Sequence, residues 1–180
     1  LDANGMGEEK EKVKEWYDGF VFGKQEDAVL PMASTTKIMT CILALENASP
    51  DDVVSISDYA ASMPDVQLHA RKGETYRMED LLYSLMLESH NDTAAAIAEH
   101  VGGSVDEFAN MMNQKARDIG CTETNFVTPN GLDGTDQKTG RLHATTAEEL
   151  AQIMRYCISQ SPKKEEFLKI TRAPSHTFSD

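Results

Sequence analysis

The run Ile38–Leu45 constrains this chain more than any other part of it. Ile38, Met39, Cys41, Ile42, Leu43 and Leu45 leave no polar stripe when wound into a helix. A helix apolar on nearly every side belongs at the centre of its domain, so the other elements must be arranged around it. Pro31 precedes the run, Ser34 can cap its start, and it ends near Asn47 ahead of Pro50. It is far too short for a membrane span, which needs roughly 18 apolar residues. With 180 residues, 40% of them hydrophobic, the chain has enough material to bury such a helix in one domain.

The remaining segments read as partners for that centre. Leu81, Leu82, Leu85, Met86 and Leu87 make Glu79–Leu87 a second apolar helix, and Thr93–Val101 is an alanine-rich helix closed by Gly102-Gly103. Ser104 with Glu107 forms a capping box for a helix carrying Phe108, Met111, Met112 and Ile119, with Gly120 as its C-terminal glycine. A second capping box at Thr145–Glu148 opens a helix with Leu150, Ile153, Met154 and Cys157 on one face. Ser161-Pro162 starts a last short helix through Phe167-Leu168. Strand candidates are few: Phe20-Val21-Phe22 and Val53–Ile56, with Cys121–Phe126 extended. Residues 1–15 are polar and read as a poorly ordered or atypical start, although Val13, Trp16, Tyr17 and Phe20 also fit one helix face. The expected class is α+β, a helical cluster packed on an antiparallel sheet.

Composition excludes several functions. Seventeen basic against thirty acidic residues give a net charge of −13, which repels phosphate backbones and disfavours nucleic-acid binding. Cys41, Cys121 and Cys157 have no zinc spacing, and Cys41 and Cys157 fall in apolar helical patterns as small buried hydrophobes. The five histidines form no HExxH and no i, i+4 pair, so no metal site is expected. No basic start followed by an apolar run opens the chain.

Two features carry chemistry. Ser34-Thr35-Thr36-Lys37 puts a hydroxyl and an amine one turn apart at the start of the central helix. A serine is a poor nucleophile until a base takes its proton, and a lysine can be that base if burial lowers its pKa. The pattern alone is weak, since about one SxxK arises by chance in a chain of this size. A second copy, Ser161-Pro162-Lys163-Lys164, precedes Glu165-Glu166 and reads as a cap with a solvated lysine. The other feature is Ser89-His90-Asn91, a polar triplet between two apolar helices that must face a cleft or buried partners.

Pro31–Thr40 resembles the active-site helix of the serine D-alanyl-D-alanine carboxypeptidases, the low-molecular-mass penicillin-binding proteins, and Leu81–Asp92 resembles their second motif. Gly103-Ser104, Met112-Asn113, Asn125-Phe126, Asn130–Asp133 and His143–Ala147 extend the resemblance over roughly Phe20–Ser159. It implies that Ser34 is the nucleophile, Lys37 its base and Ser89 a proton relay, with Asn91 binding substrate and no organic cofactor taking part. It also implies a peptidoglycan stem peptide as substrate, acylation by β-lactams, and an exported, membrane-tethered parent protein in the cell envelope. Position 90 departs from the family, which usually has a small residue where this chain has His90. Lys138-Thr139-Gly140 matches the third motif in letters, but no β-branched run surrounds it, so the true motif is expected beyond Asp180. On that reading residues 16–180 are the N-terminal portion of a catalytic domain, incomplete at its C-terminal strands, and a second segment or chain completes the sheet. The alternatives are a catalytically incomplete fragment, a non-catalytic peptidoglycan-binding or regulatory domain, and a β-lactamase of the same fold. The last would want a glutamate in an ExxLN-like loop, and none is found.

Overall fold

The computed structural model describes residues 23–178. The expected strand at Phe20–Phe22, the alternative helix face from Val13 and the irregular first 15 residues lie outside that range. Strand β1 (Leu30–Pro31) leads through a tight helical turn (Ala33–Thr36) into α1 (Lys37–Asn47), followed by β2 (Val53–Ser55) and α2 (Asp58–Ala61). Then come β3 (Thr75–Arg77), α3 (Met78–Leu87), α4 (Asn91–Gly102) and α5 (Val105–Ile119). The chain continues with β4 (Ala144–Thr145), α6 (Ala147–Arg155), a wide helical turn at Tyr156–Gln160 and α7 (Lys164–Thr171).

The central helix is where the sequence puts it. Cys41, Ile42 and Ala44 are fully buried, and α1 packs against α3, α4, α5, α6 and α7. Removing a side chain such as Ile42 from so enclosed a position costs about 2–5 kcal/mol. The alanines of α4 let it lie close to both α5 and α1, and Ala94, Ala95, Ala96 and Ala98 are all fully buried. Cys41 and Cys157 are buried in this core as expected, and Cys121 is as well.

The class is α+β, with helices packed about two antiparallel strand pairs among the described residues. β1 pairs with β4, Leu30 opposite Thr145, and β2 pairs with β3, Val54 opposite Tyr76. Strand β3 was not legible from the sequence, because a three-residue strand is too short to show alternation. Three boundaries also need correction. Ser34 makes no cap hydrogen bond; it sits inside the tight turn that feeds α1. The cap of α6 is Thr146, whose hydroxyl accepts from the Glu149 N–H, one residue later than expected. Helix α4 begins at Asn91, so the triplet's asparagine is helical and only Ser89 and His90 form the break. At Ser104 the cap forms, with the Ser104 hydroxyl accepting from Glu107 N–H, and Gly120 is left-handed at φ +101°.

Two carboxylates fix loops to this frame. Asp92, in the first turn of α4, accepts from the Leu68 and Ala70 N–H groups at 3.0 and 3.2 Å and so fastens the 64–73 loop beside the α3–α4 junction. Glu149 accepts from the N–H groups of Thr122, Glu123 and Thr124, tying α6 to the segment after α5. Burial alone would raise the Glu149 pKa, but these donors and the Thr124 hydroxyl outweigh it and hold the pKa below the ordinary value.

Candidate active site

The turn Ala33–Thr36 exposes Ser34 to solvent while the next turn of the helix buries Lys37 to 2% exposure. The lysine ammonium meets three oxygens. Nζ lies 3.3 Å from Ser34 Oγ, 2.9 Å from Asn91 Oδ1 and 2.7 Å from the Asn130 carbonyl oxygen. Among the described residues no carboxylate joins them, so no opposite charge in the cage offsets the cost of burying the ammonium. Desolvation therefore lowers the Lys37 pKa from 10.5 to about 8. In the neutral amine two hydrogens suit the two carbonyl-type oxygens, and the one lone pair is left for the Ser34 hydroxyl.

Asn91 is itself held. Its Nδ2 donates to the Pro64 and Asp65 carbonyl oxygens at 3.0 and 3.1 Å, and its backbone N–H donates to Val66 O at 2.7 Å. The amide orientation is thereby fixed with Oδ1 toward Lys37. A carboxamide oxygen has two lone pairs, and Lys37 occupies one of them.

The other wall of the cage is the loop 127–132, which lies along the start of α1. Thr40 Oγ1 donates to Pro129 O at 2.6 Å, and Lys37 takes the next carbonyl, Asn130 O. Gly131 (φ +90°) lies so close to the serine's turn that an added Cβ would sit 1.9 Å from Ala33 O. Ala33 is also left-handed, at φ +46°, which costs a non-glycine residue about 1–2 kcal/mol. Such strain persists where neighbouring structure over-determines it, and here it presents Ser34 outward. His143 clamps the same loop to the same turn. Its Nδ1 accepts from Val127 N–H at 2.9 Å, which leaves the proton on Nε2, 2.8 Å from Thr36 Oγ1. Burial lowers the His143 pKa to about 4, so the ring is neutral near pH 7.

The structure thus brings Ser34, Lys37 and Asn91 together. Ser89 lies between α3 and α4, half-buried and left-handed at φ +62°, and among the described residues no hydrogen bond joins its hydroxyl to the cage. Sequence reasoning missed Asn130, Gly131, Thr36 and Thr40 as parts of the site. The Asn-Gly pair does signal a turn with positive φ, but not what that turn packs against. Lys138 is exposed in a turn organised by Asp136, which accepts from the Lys138 N–H and the Thr139 hydroxyl. It is not on a strand, in line with its reading as a chance match. Among the described residues no cluster of three or more metal-ligating side chains occurs.

The family model described as D-alanyl-D-alanine carboxypeptidase, peptidase family S11, matches residues 19–180. The D-alanyl-D-alanine carboxypeptidase DacF of Bacillus subtilis is 36% identical over 117 residues, covering 62% of this chain and 30% of that protein. The crystal structure of a D-alanyl-D-alanine carboxypeptidase from Mycobacterium tuberculosis superposes with a TM-score of 0.78 at 32% identity, over 88% of this chain and 57% of that one. Penicillin-binding protein D2 of Listeria monocytogenes, in its ampicillin-bound form, superposes at 0.72 and 27% identity, over 87% of this chain and 62% of that one. The chain therefore spans between 30% and 62% of the length of these relatives.

Proposed function

The chain belongs to the S11 family of D-alanyl-D-alanine carboxypeptidases, and from that membership we propose that it carries the acylating half of a serine carboxypeptidase acting on peptidoglycan stem peptides. The observation that carries the reading is the placement of Lys37 Nζ between Ser34 Oγ, Asn91 Oδ1 and Asn130 O, with the serine open and the lysine buried. Ser34 Oγ attacks the carbonyl of the penultimate D-alanine, and its proton passes to Lys37. The new Oγ–C bond forms a tetrahedral oxyanion, held by backbone N–H groups including that of Ser34. The C–N bond to the terminal D-alanine then breaks, and the proton reaches the leaving amine by way of Ser89. Asn91 orients the substrate with the second lone pair of Oδ1, while Lys37 holds the first. Water later hydrolyses the ester and frees Ser34.

A β-lactam presents a strained amide to the same hydroxyl and acylates it, as its recognition by the ampicillin-bound Listeria relative suggests. Peptidoglycan lies outside the cytoplasmic membrane, so the proposal places the protein in the bacterial cell envelope. Export and membrane tethering of the parent protein belong to the same proposal; among the described residues no helix is long and apolar enough to cross a membrane. The reading of residues 16–180 as the N-terminal portion of the catalytic domain, with a further segment or chain completing the sheet, likewise remains part of it. The test is intact mass after incubation with a penicillin, beside Ser34→Ala. One adduct is expected on the parent chain and none on the variant. An adduct that survives the substitution would remove Ser34 from its role.

A further inference from the structure

His90 stands between Ser89 and Asn91 in the chain, yet its ring turns toward α3. Its Nδ1 lies 2.7 Å from Ser84 Oγ, and Ser84 Oγ lies 3.1 Å from Thr93 Oγ1. Ser84 and Thr93 are 4% and 1% exposed, so the half-buried His90 ring is tied to two core side chains. The result is a side-chain bridge from α3 to the first turn of α4, across the break that contains Ser89. The ring also borders an open groove of about 390 Å³ with Leu68, Tyr83, Leu87, His176 and Phe178. Ser34, Lys37, Asn91 and Asn130 do not line that groove.

Ser89 needs such support. It holds a left-handed conformation, at φ +62°, without the freedom of a glycine, and its own hydroxyl makes no hydrogen bond among the described residues. On either side the backbone is tied by Glu88 N–H to Ser84 O at 3.2 Å and by Asn91 N–H to Val66 O at 2.7 Å. The His90–Ser84 contact closes the interval between those two ties. A small residue at position 90 would leave it open.

We propose that His90 is a positioning residue for Ser89, acting through Ser84 to hold the left-handed turn that aims the Ser89 hydroxyl. The inference rests on the carboxypeptidase reading for Ser89's role, while the bridge itself does not. The test therefore has two arms on the full chain, with His90→Ala, His90→Asn, Ser84→Ala and the double variant S84A/H90A. The first arm is deuterium uptake of the backbone amides over residues 87–92. His90→Ala and Ser84→Ala should each raise it while the rest of the chain keeps its protection. His90→Asn, whose amide can occupy the place of Nδ1, should restore it. The second arm is the rate of acylation by a fluorescent penicillin. About a tenfold loss is expected for either alanine variant, no further loss in the double variant, and an unchanged pH profile. Unchanged uptake in His90→Ala overturns the proposal. So does slow acylation in His90→Ala with normal acylation in Ser84→Ala, which would put His90 on the substrate instead. If the parent chain takes no penicillin, acylation by these residues alone fails, and the uptake arm still decides the bridge.

Discussion

The chain carries the same four-residue pattern twice, at Ser34–Lys37 and at Ser161–Lys164, and the fold treats the two copies in opposite ways. In the first copy the serine is exposed and the lysine is 2% exposed, among neutral oxygens. In the second the serine is 2% exposed, and its hydroxyl donates to Glu46 Oε1 at 2.6 Å. Tyr156 donates to the same oxygen and Lys115 to the other, so Ser161 belongs to a structural carboxylate cluster at the far end of α1. The carboxylate it donates to is held below its ordinary pKa by Lys115, Ser161 and Tyr156, which makes it a poor base, and Lys164 makes no hydrogen bond to the Ser161 hydroxyl among the described residues. Identical spacing thus gives an exposed hydroxyl beside a buried amine, or a core hydrogen bond. What decides is which partner is buried and whether a negative charge is nearby.

The largest effect that can break this comparison comes from Lys37. Lys37→Ala removes the proposed base and should slow acylation of Ser34 by about 10²–10⁴-fold while the chain stays folded. Lys164→Ala should leave acylation unchanged. The parent chain should also show acylation rising with pH through about 8, since the proposed mechanism needs the neutral amine and desolvation holds the Lys37 pKa near that value. Stopped-flow acylation between pH 6 and 10 measures both. A flat profile, or a fast Lys37→Ala variant, would make the two copies equivalent after all.

Next in size is Gly131. An alanine there would bring a Cβ to 1.9 Å from Ala33 O at a φ of +90°, so either the loop or the serine's turn must move. Gly131→Ala should cost about 2 kcal/mol or more in urea denaturation and should slow acylation as well, because the displaced carbonyl of Asn130 also holds Lys37. Lost stability with normal acylation would show that the loop does not position the site.

How legible these regions were follows from the same physics. The apolar run of α1 announced its own burial, and with it the lysine at its start, because an all-round apolar helix has one destination. The Ser104 cap and the Gly120 stop were local signals, complete within a turn. The cage around Lys37 was not local. Asn130 lies 93 residues further along the chain, and it enters through a backbone carbonyl, which any residue type provides. The Thr36–His143 clamp has the same character, joining residues 107 apart through side chains that occur equally on surfaces. Strand β3 stayed hidden because its three residues alternate too briefly to be told from loop.

A third way to sharpen the contrast uses acid. The clamp at Ser34 depends on a neutral His143, whose pKa is pushed down to about 4 by burial. With the folded value below the unfolded one near 6.5, the unfolded chain binds the extra proton in between. The stability is therefore full above about pH 6.5 and lost as pH falls through about 4, by up to about 3 kcal/mol. Urea denaturation at pH 7 and at pH 4.5 measures it, and His143→Gln should flatten that part of the dependence. A variant with the same acid loss as the parent would assign the loss to carboxylates instead.

The smallest effect falls on the second copy. Ser161→Ala removes one donor from Glu46, whose carboxyl faces the cost of burial but is held below its ordinary pKa by the Lys115, Ser161 and Tyr156 hydrogen bonds and the Lys115 charge. Two of those donors remain, so the carboxylate stays paired. The loss should be near that of one hydrogen bond to a charged group, about 1.5–3 kcal/mol, without any change in acylation by penicillin. Ser34→Ala should do the reverse: the exposed hydroxyl can be removed at little cost in stability, and acylation disappears. Thermal denaturation and intact mass on the same two variants read both quantities. If Ser161→Ala were to lose the adduct while keeping its stability, the partition of the two serines into nucleophile and core donor would be wrong. The expected crossing of effects, stability at one end of α1 and reactivity at the other, follows from burial and nearby charge, since the two motifs share the same serine–lysine spacing.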